Sequence, residues 1–163
     1  FKLFRGKQRV LDLGAAPGSW SQVALAKLPP HAKVLAIDIK ELEPLAGVIS
    51  LKMDIFEANA IKIILETLAG RADVVMSDMA ASSTGHTKTD HIRIMNLCEA
   101  AADVGAKVLV DNGIFVAKVF KGGTERELLE KLKGRFRKVQ HVKPQASRSE
   151  SAEEYVIARG FRS

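Results

Sequence analysis

At 163 residues, with 47% hydrophobic and 27% charged side chains, the chain can bury one core and is neither fibrous nor disordered in composition. Its net charge of +6 favours a polyanionic partner, and the single Cys98 excludes an intramolecular disulfide. No apolar run approaches the roughly 20 residues that span a bilayer, so no membrane partner is expected, and the single cysteine fits a reducing, cytoplasmic location.

Residues 1–8 (FKLFRGKQ) are a basic lead-in. Arg9–Leu13 reads as the first strand, residues 14–18 as a Gly/Pro loop, and residues 19–28 as a helix with Ser19 as N-cap and Gln22 at the capping-box position. Pro29-Pro30 stops that helix. Residues 34–38 and 48–51 are the next strands, followed by a helix over 58–68 whose Ile61, Ile64, Leu65 and Leu68 share a face and which Gly70 ends. Residues 72–76 form the fourth strand and 80–88 a small polar loop. Residues 90–110 read as mainly helix, although 107–110 alone could pass for a strand; helix is favoured because Asp111-Asn112-Gly113 makes a turn just before the stronger strand 114–120. A helix over 124–132 and strands over 135–142 and 154–158 complete the chain. The class is α/β: a Rossmann-like, mostly parallel seven-stranded sheet with helices on both faces and a C-terminal antiparallel strand. The whole span 1–163 reads as one domain, and because the chain starts at Phe1 rather than Met, further residues are expected ahead of it.

The loop Gly14-Ala15-Ala16-Pro17-Gly18 joins a buried strand to a helix, the nucleoside-binding corner of open α/β sheets. A dinucleotide fingerprint from Gly14 needs glycine at Ala16, and Pro17 removes an amide donor. Such a loop suits a nucleoside without a pyrophosphate, S-adenosylmethionine being one. Three acids follow successive strands. Asp38, 24 residues after Gly14, can accept from ribose hydroxyls, Asp54 from an adenine amine, and Asp78 stands at the crevice beside the first strand. Singly such acids are more often turn or cap residues; together they surround a sulfonium with negative charge.

Lys118 interrupts the apolar strand Ile114-Phe115-Val116-Ala117-Lys118-Val119-Phe120. An unpaired ammonium there is costly unless it meets an acid such as Asp78. Desolvated in that way, it can accept a proton from a substrate hydroxyl or stabilise an alkoxide; the bland alternative is a lysine snorkelling from the strand edge. Strand alternation sends Glu153 and Tyr155 to one face and Glu154 to the other, so one glutamate can point at the site and the other at solvent. Cys98 falls on a helical apolar face and reads as a small buried hydrophobe.

The stretches DLGAAPGSWSQ (12–22), SDMA (77–80), Lys118-Val119-Phe120 and Lys143-Pro144, with Ser147-Arg148 and Glu153-x-Tyr155, occur in an order that resembles the FtsJ (RrmJ) family of ribose 2′-O-methyltransferases over essentially the whole chain. The resemblance implies that Gly14, Gly18, Trp20, Asp38, Asp54 and Asp78 bind S-adenosylmethionine, with no metal required. It implies a catalytic Lys-Asp-Lys-Glu group, of which Asp78, Lys118 and Glu153 match by motif. The substrate it implies is a uridine of the large-subunit (23S) ribosomal RNA, met within the large ribosomal subunit by a monomer. Relatives modify tRNA, mitochondrial rRNA or mRNA caps. Lys2 precedes Asp12 by only ten residues and does not match the family's first lysine, which the resemblance places on an N-terminal helical segment expected upstream; a protein beginning at Phe1 would then bind cofactor but methylate poorly. Two other readings stand beside it: an NAD-dependent oxidoreductase, and an RNA-binding module of this fold without turnover. RNA would lie across Lys2, Arg5, Lys7 and Arg9 and the later cluster Arg135, Arg137, Lys138, Lys143 and Arg148.

Overall fold

The computed structural model describes residues 2–4, 6–79, 85–120, 125–143 and 153–163, without the side chains of Thr87, His91, Phe120, Glu125 and Glu153. Strands β1 (Arg9–Leu13), β2 (Lys33–Asp38), β3 (Val48–Lys52), β4 (Ala72–Ser77), β5 (Leu109–Phe120), β6 (Phe136–Val142) and β7 (Glu153–Phe161) form one sheet in the order β3-β2-β1-β4-β5-β7-β6. The first five pair in parallel, while β7 inserts between β5 and β6 and runs antiparallel to both. The mostly parallel seven-stranded sheet expected from the sequence is present.

The chain leaves β1 leftward to β2, through α1 (Ser19–Lys27), and returns rightward from β3 through α2 (Ala60–Leu68), α3 (Thr87–Val108) and α4 (Glu125–Arg135). Because parallel crossovers are right-handed, opposite directions of travel place α1 on one face and the other three on the opposite face. Each strand divides its residues accordingly. Leu11, Leu35, Val75 and Phe115 pack with Ile64, Leu68, Cys98 and Leu128 from the three-helix face. Val10, Val34, Val74, Met76, Ile114 and Val116 pack with Ala24 and Trp20 of α1. Phe115 has no exposed surface and its ring centroid lies 6.5 Å from that of Phe136. Phe115→Ala therefore removes about 3–5 kcal/mol of stability, read as a lower urea midpoint at unchanged slope.

Three local readings change. The first helix is capped by Gly18 (φ 122°) without a side-chain hydrogen bond, so Ser19 is its first turn and not its N-cap; the Gln22 N–H goes to the Gly18 carbonyl. The left-handed residue ending α2 is Ala69 (φ 54°), one before the expected Gly70, whose N–H caps the Leu65 carbonyl. Helix α3 stops at Val108, and Leu109 already pairs with Ala72, so residues 109–110 are strand rather than helix. The side chain of Arg71 takes over there, donating to the Lys107 and Leu109 carbonyls. The Asp111-Asn112-Gly113 turn exists as an irregularity inside β5: the register jumps from Ala72↔Leu109 to Val74↔Ile114, and Asn112 takes φ 66°. Alternation left open which of Glu153 and Glu154 faces solvent; Glu154 does not. It is buried and bonds His141 Nδ1 at 3.0 Å.

No helix among the described residues is long and apolar enough to cross a membrane.

Candidate active site

The sheet register builds the site. Leu13 pairs with both Ile37 and Ser77, and Ser77 pairs with Ala117. The next residue on each of these four strands is Gly14, Asp38, Asp78 and Lys118, so all four stand abreast at the carboxyl edge of the sheet. Open α/β sheets bind ligands at this edge, where the strand order reverses beside β1.

The loop after β1 is tied to β2 by backbone alone. Gly14 and Ala15 N–H groups both donate to the Ile37 carbonyl, at 2.9 and 3.1 Å. The Asp38 carboxylate accepts from Ala16 N–H through Oδ2 and from Lys40 N–H through Oδ1, each at 2.9 Å. The Ala16–Pro17 peptide is cis. Gly14 has φ 69°, and a Cβ there would stand 2.6 Å from Met79 Cγ and 2.7 Å from Met79 Cα. Glycine is the residue that both this backbone conformation and this close approach admit.

A cavity of about 270 Å³ opens above the strand ends. Gly14, Asp38, Asp54 and Asp78 line it, and so do Ile39 and Phe56, which are 66% and 67% exposed. Asp54 Oδ1 accepts the Phe56 N–H at 2.9 Å and so fixes the turn that presents the ring. The mouth is thus acidic on the strand side and apolar at its rim, a surface for a flat cationic nucleoside. Gly18 and Trp20 do not line this cavity. Trp20 stacks on Tyr155, ring centroids 5.5 Å apart, and both line a second, apolar cavity of about 300 Å³ on the α1 face.

Lys118 Nζ lies 2.6 Å from Asp78 Oδ1, the two side chains being 19% and 30% exposed. The pair follows from the register: β4 ends at Ser77, and the residue after it meets the residue after Ala117. Behind the lysine, Cys98 Sγ–H donates to the Lys118 carbonyl at 3.2 Å. Burial pushes the Cys98 thiol up to about 12, so it remains a protonated donor and a poor nucleophile at neutral pH. On the other side Lys118 pairs with Tyr155, and the Glu153 backbone pairs with Phe120, where β7 begins beside the end of β5. The Glu153 side chain lies outside the described residues, as do Pro144, Ser147 and Arg148.

Residues 1–161 match the FtsJ-like methyltransferase family. The chain belongs to that family. It is 51% identical over 163 residues to "Ribosomal RNA large subunit methyltransferase E" of Rickettsia akari (strain Hartford), covering 97% of this chain and 72% of that protein. Against the protein of the same name from Rhizobium meliloti (strain 1021), identity is 50% over 165 residues, covering 99% and 67%. Among solved structures, a provisionally named ribosomal RNA methyltransferase of Plasmodium falciparum superposes with TM-score 0.83 at 25% identity, covering 99% of this chain and 89% of that one.

In this methyltransferase, Ile39 and Phe56 line the cavity without having been singled out in the sequence, and Met79 had appeared there only within the SDMA stretch. Their signal was present: each directly or closely follows a strand-end acid. Asp12 was also passed over as a functional residue. It is fully buried in β1, Ser21 Oγ donates to its Oδ2 at 2.6 Å, and its Oδ1 has no hydrogen-bond partner. Burial first, then the charges of Asp78 and Asp38, raise its carboxyl to about 7 against the lowering effect of the Ser21 bond. A charged residue inside an apolar strand was the signal that singled out Lys118, and it applies equally to Asp12.

Several of the basic residues expected on an RNA face serve the fold. Arg9 Nε donates to the Leu68 carbonyl, Arg135 pairs with Asp103 at 3.1 Å, and Arg137 bonds Asn112. Lys2, Lys138 and Lys143 are exposed. Arg5 and Arg148 fall outside the described residues.

Proposed function

We propose that this protein uses S-adenosylmethionine to methylate the 2′-hydroxyl of a uridine ribose in large-subunit (23S) ribosomal RNA, acting in the cytoplasm as a monomer on the large ribosomal subunit. The observation that carries the reading is the Lys118–Asp78 contact at the edge of a cavity lined by strand-end acids. The names of the relatives, half identical in sequence, support the RNA substrate.

The residues present fit the cofactor. Gly14 leaves room for a close approach; of the residues lining the cavity, Asp38 would offer lone pairs to ribose hydroxyls, Asp54 would accept from an adenine amine, and Ile39 and Phe56 would offer apolar surface to the ring. Gly18 shapes the loop, and Trp20 supports the acceptor side through Tyr155. The acids make the pocket negative, which favours a sulfonium over a pyrophosphate. S-adenosylmethionine supplies an electrophilic methyl group and leaves as S-adenosylhomocysteine.

Lys118 acts on the acceptor. Its ammonium first gives a proton to solvent, and the neutral amine then takes the proton of the 2′-hydroxyl as the oxygen forms its bond to the methyl carbon and that carbon's bond to sulfur breaks. Asp78 holds the amine in place and keeps it near the donor side of the cavity. Glu153, two residues before Tyr155 on β7, orients the lysine and the ribose. Positioning two reactants supplies much of the acceleration, and the base adds about 10²–10⁴-fold.

The test has two arms. Calorimetry shows S-adenosylmethionine binding and no binding of NADH; the reverse result makes the protein an oxidoreductase. Incubation with undermodified large ribosomal subunits yields a new 2′-O-methyl uridine in their RNA. Methyl transfer to a base or to protein would refute the acceptor.

A further inference from the structure

Asp12 has an environment that Asp38 and Asp78 do not share. It pairs with Ala36 on β2 and with Met76 on β4, so Asp38 and Asp78 each lie two residues farther along the neighbouring strands. Two residues of strand are roughly 7 Å, and an even spacing keeps all three carboxyls on the same face. Asp12 is the floor of a triangle of acids whose upper corners line the cavity. Asp38 has two backbone N–H donors and Asp78 has the Lys118 ammonium. Asp12 has one hydroxyl, from Ser21 on α1, and an orphaned buried oxygen.

Three ionised carboxyls packed around one cation repel one another. A sulfonium in the cavity changes the balance, because it brings a second positive charge over the triangle. The demethylated product has lost that charge. We propose that Asp12 determines the preference of the pocket for the cationic methyl donor over the neutral product, by ionising when the donor binds and holding its proton when the cavity is empty or contains product. The inference rests on S-adenosylmethionine being the donor.

The linkage has a definite sign. Below about 7 the empty protein holds a proton on Asp12. Donor binding expels that proton, so donor affinity rises with pH and levels off above neutrality, being about tenfold weaker at pH 6 than at pH 8. S-adenosylhomocysteine shows no such term. The amine of either ligand titrates equally against wild type and Asp12→Asn, so the difference between the two proteins isolates the carboxyl.

The experiment is calorimetric titration of both ligands from pH 5.5 to 8.5, repeated at pH 6 in two buffers of different ionisation enthalpy to count protons. In wild type the donor-to-product affinity ratio climbs with pH, and donor binding releases close to one proton more than in Asp12→Asn, whose ratio follows the ligand amine alone. Ser21→Ala removes a hydrogen bond that favours the ionised form, so its inflection moves to higher pH; this variant carries the test if Asp12→Asn fails to fold. Equal ratio profiles in wild type and Asp12→Asn, or an unmoved inflection in Ser21→Ala, overturn the inference while leaving the cofactor reading intact. Absence of donor binding at every pH overturns both.

Discussion

Lys118→Ala lowers methyl transfer by about 10²–10⁴-fold and leaves S-adenosylmethionine affinity nearly unchanged. The split follows from geometry. Lys118 touches Asp78 and stands at the acceptor side, while the cavity is lined by Gly14, Asp38, Asp54, Ile39, Phe56 and Asp78 itself. Single-turnover rates measured against calorimetric affinities check it. Lys118→Arg separates two roles: arginine keeps the charge and the ion pair but does not give up its proton in water. If Lys118 is a base, the arginine variant is as slow as the alanine variant; substantial recovery would make the lysine an electrostatic stabiliser of the 2′-oxygen. Loss of rate and cofactor affinity together would make it a structural residue.

Gly14→Val abolishes measurable cofactor binding and destabilises the fold. Its φ of 69° costs a β-branched residue on the order of 1–3 kcal/mol. The first added carbon would also sit 2.7 Å from the Met79 backbone, so either the loop or the segment after β4 must shift, and both border the cavity. Gly18→Ala is the matched control: it has φ 122° but nothing within 4 Å of the added carbon, so it strains the backbone without a collision. Urea unfolding and calorimetry on both variants check the contrast. Wild-type affinity in Gly14→Val would show that the loop does not approach the ligand.

The elements of the sheet were largely legible because their signals are local. Apolar runs of five to seven residues ended by an acid, as in VLAID and ADVVMSD, need no partner to be recognised as buried strands. The rest is of the opposite kind. Residues 109–110 sit in a helical pattern, but Leu109 gains a ladder partner in Ala72 and a carbonyl contact from Arg71. Alternation did not say which of Glu153 and Glu154 meets solvent, and His141, arriving from β6, pairs with Glu154. In each case a residue distant in sequence decided what the local pattern did not.

The amino-acid sequence by itself pointed to a kind of ligand and to the strand ends that would hold it. A Gly/Pro loop with Ala16 and Pro17 disfavours a pyrophosphate, three acids end successive strands, and one lysine interrupts an apolar run. Only the tertiary structure decided which of these meet. The pairing of Ser77 with Ala117 puts Asp78 against Lys118, and the insertion of β7 beside β5 sets Tyr155 and the Glu153 backbone next to that pair. The same registers stack Asp12 beneath Asp38 and Asp78. The reason is physical: composition and periodicity show that a side chain must be buried, whereas its charge neighbours depend on which strands pair and at what offset, and that choice is made by contacts across the whole sheet.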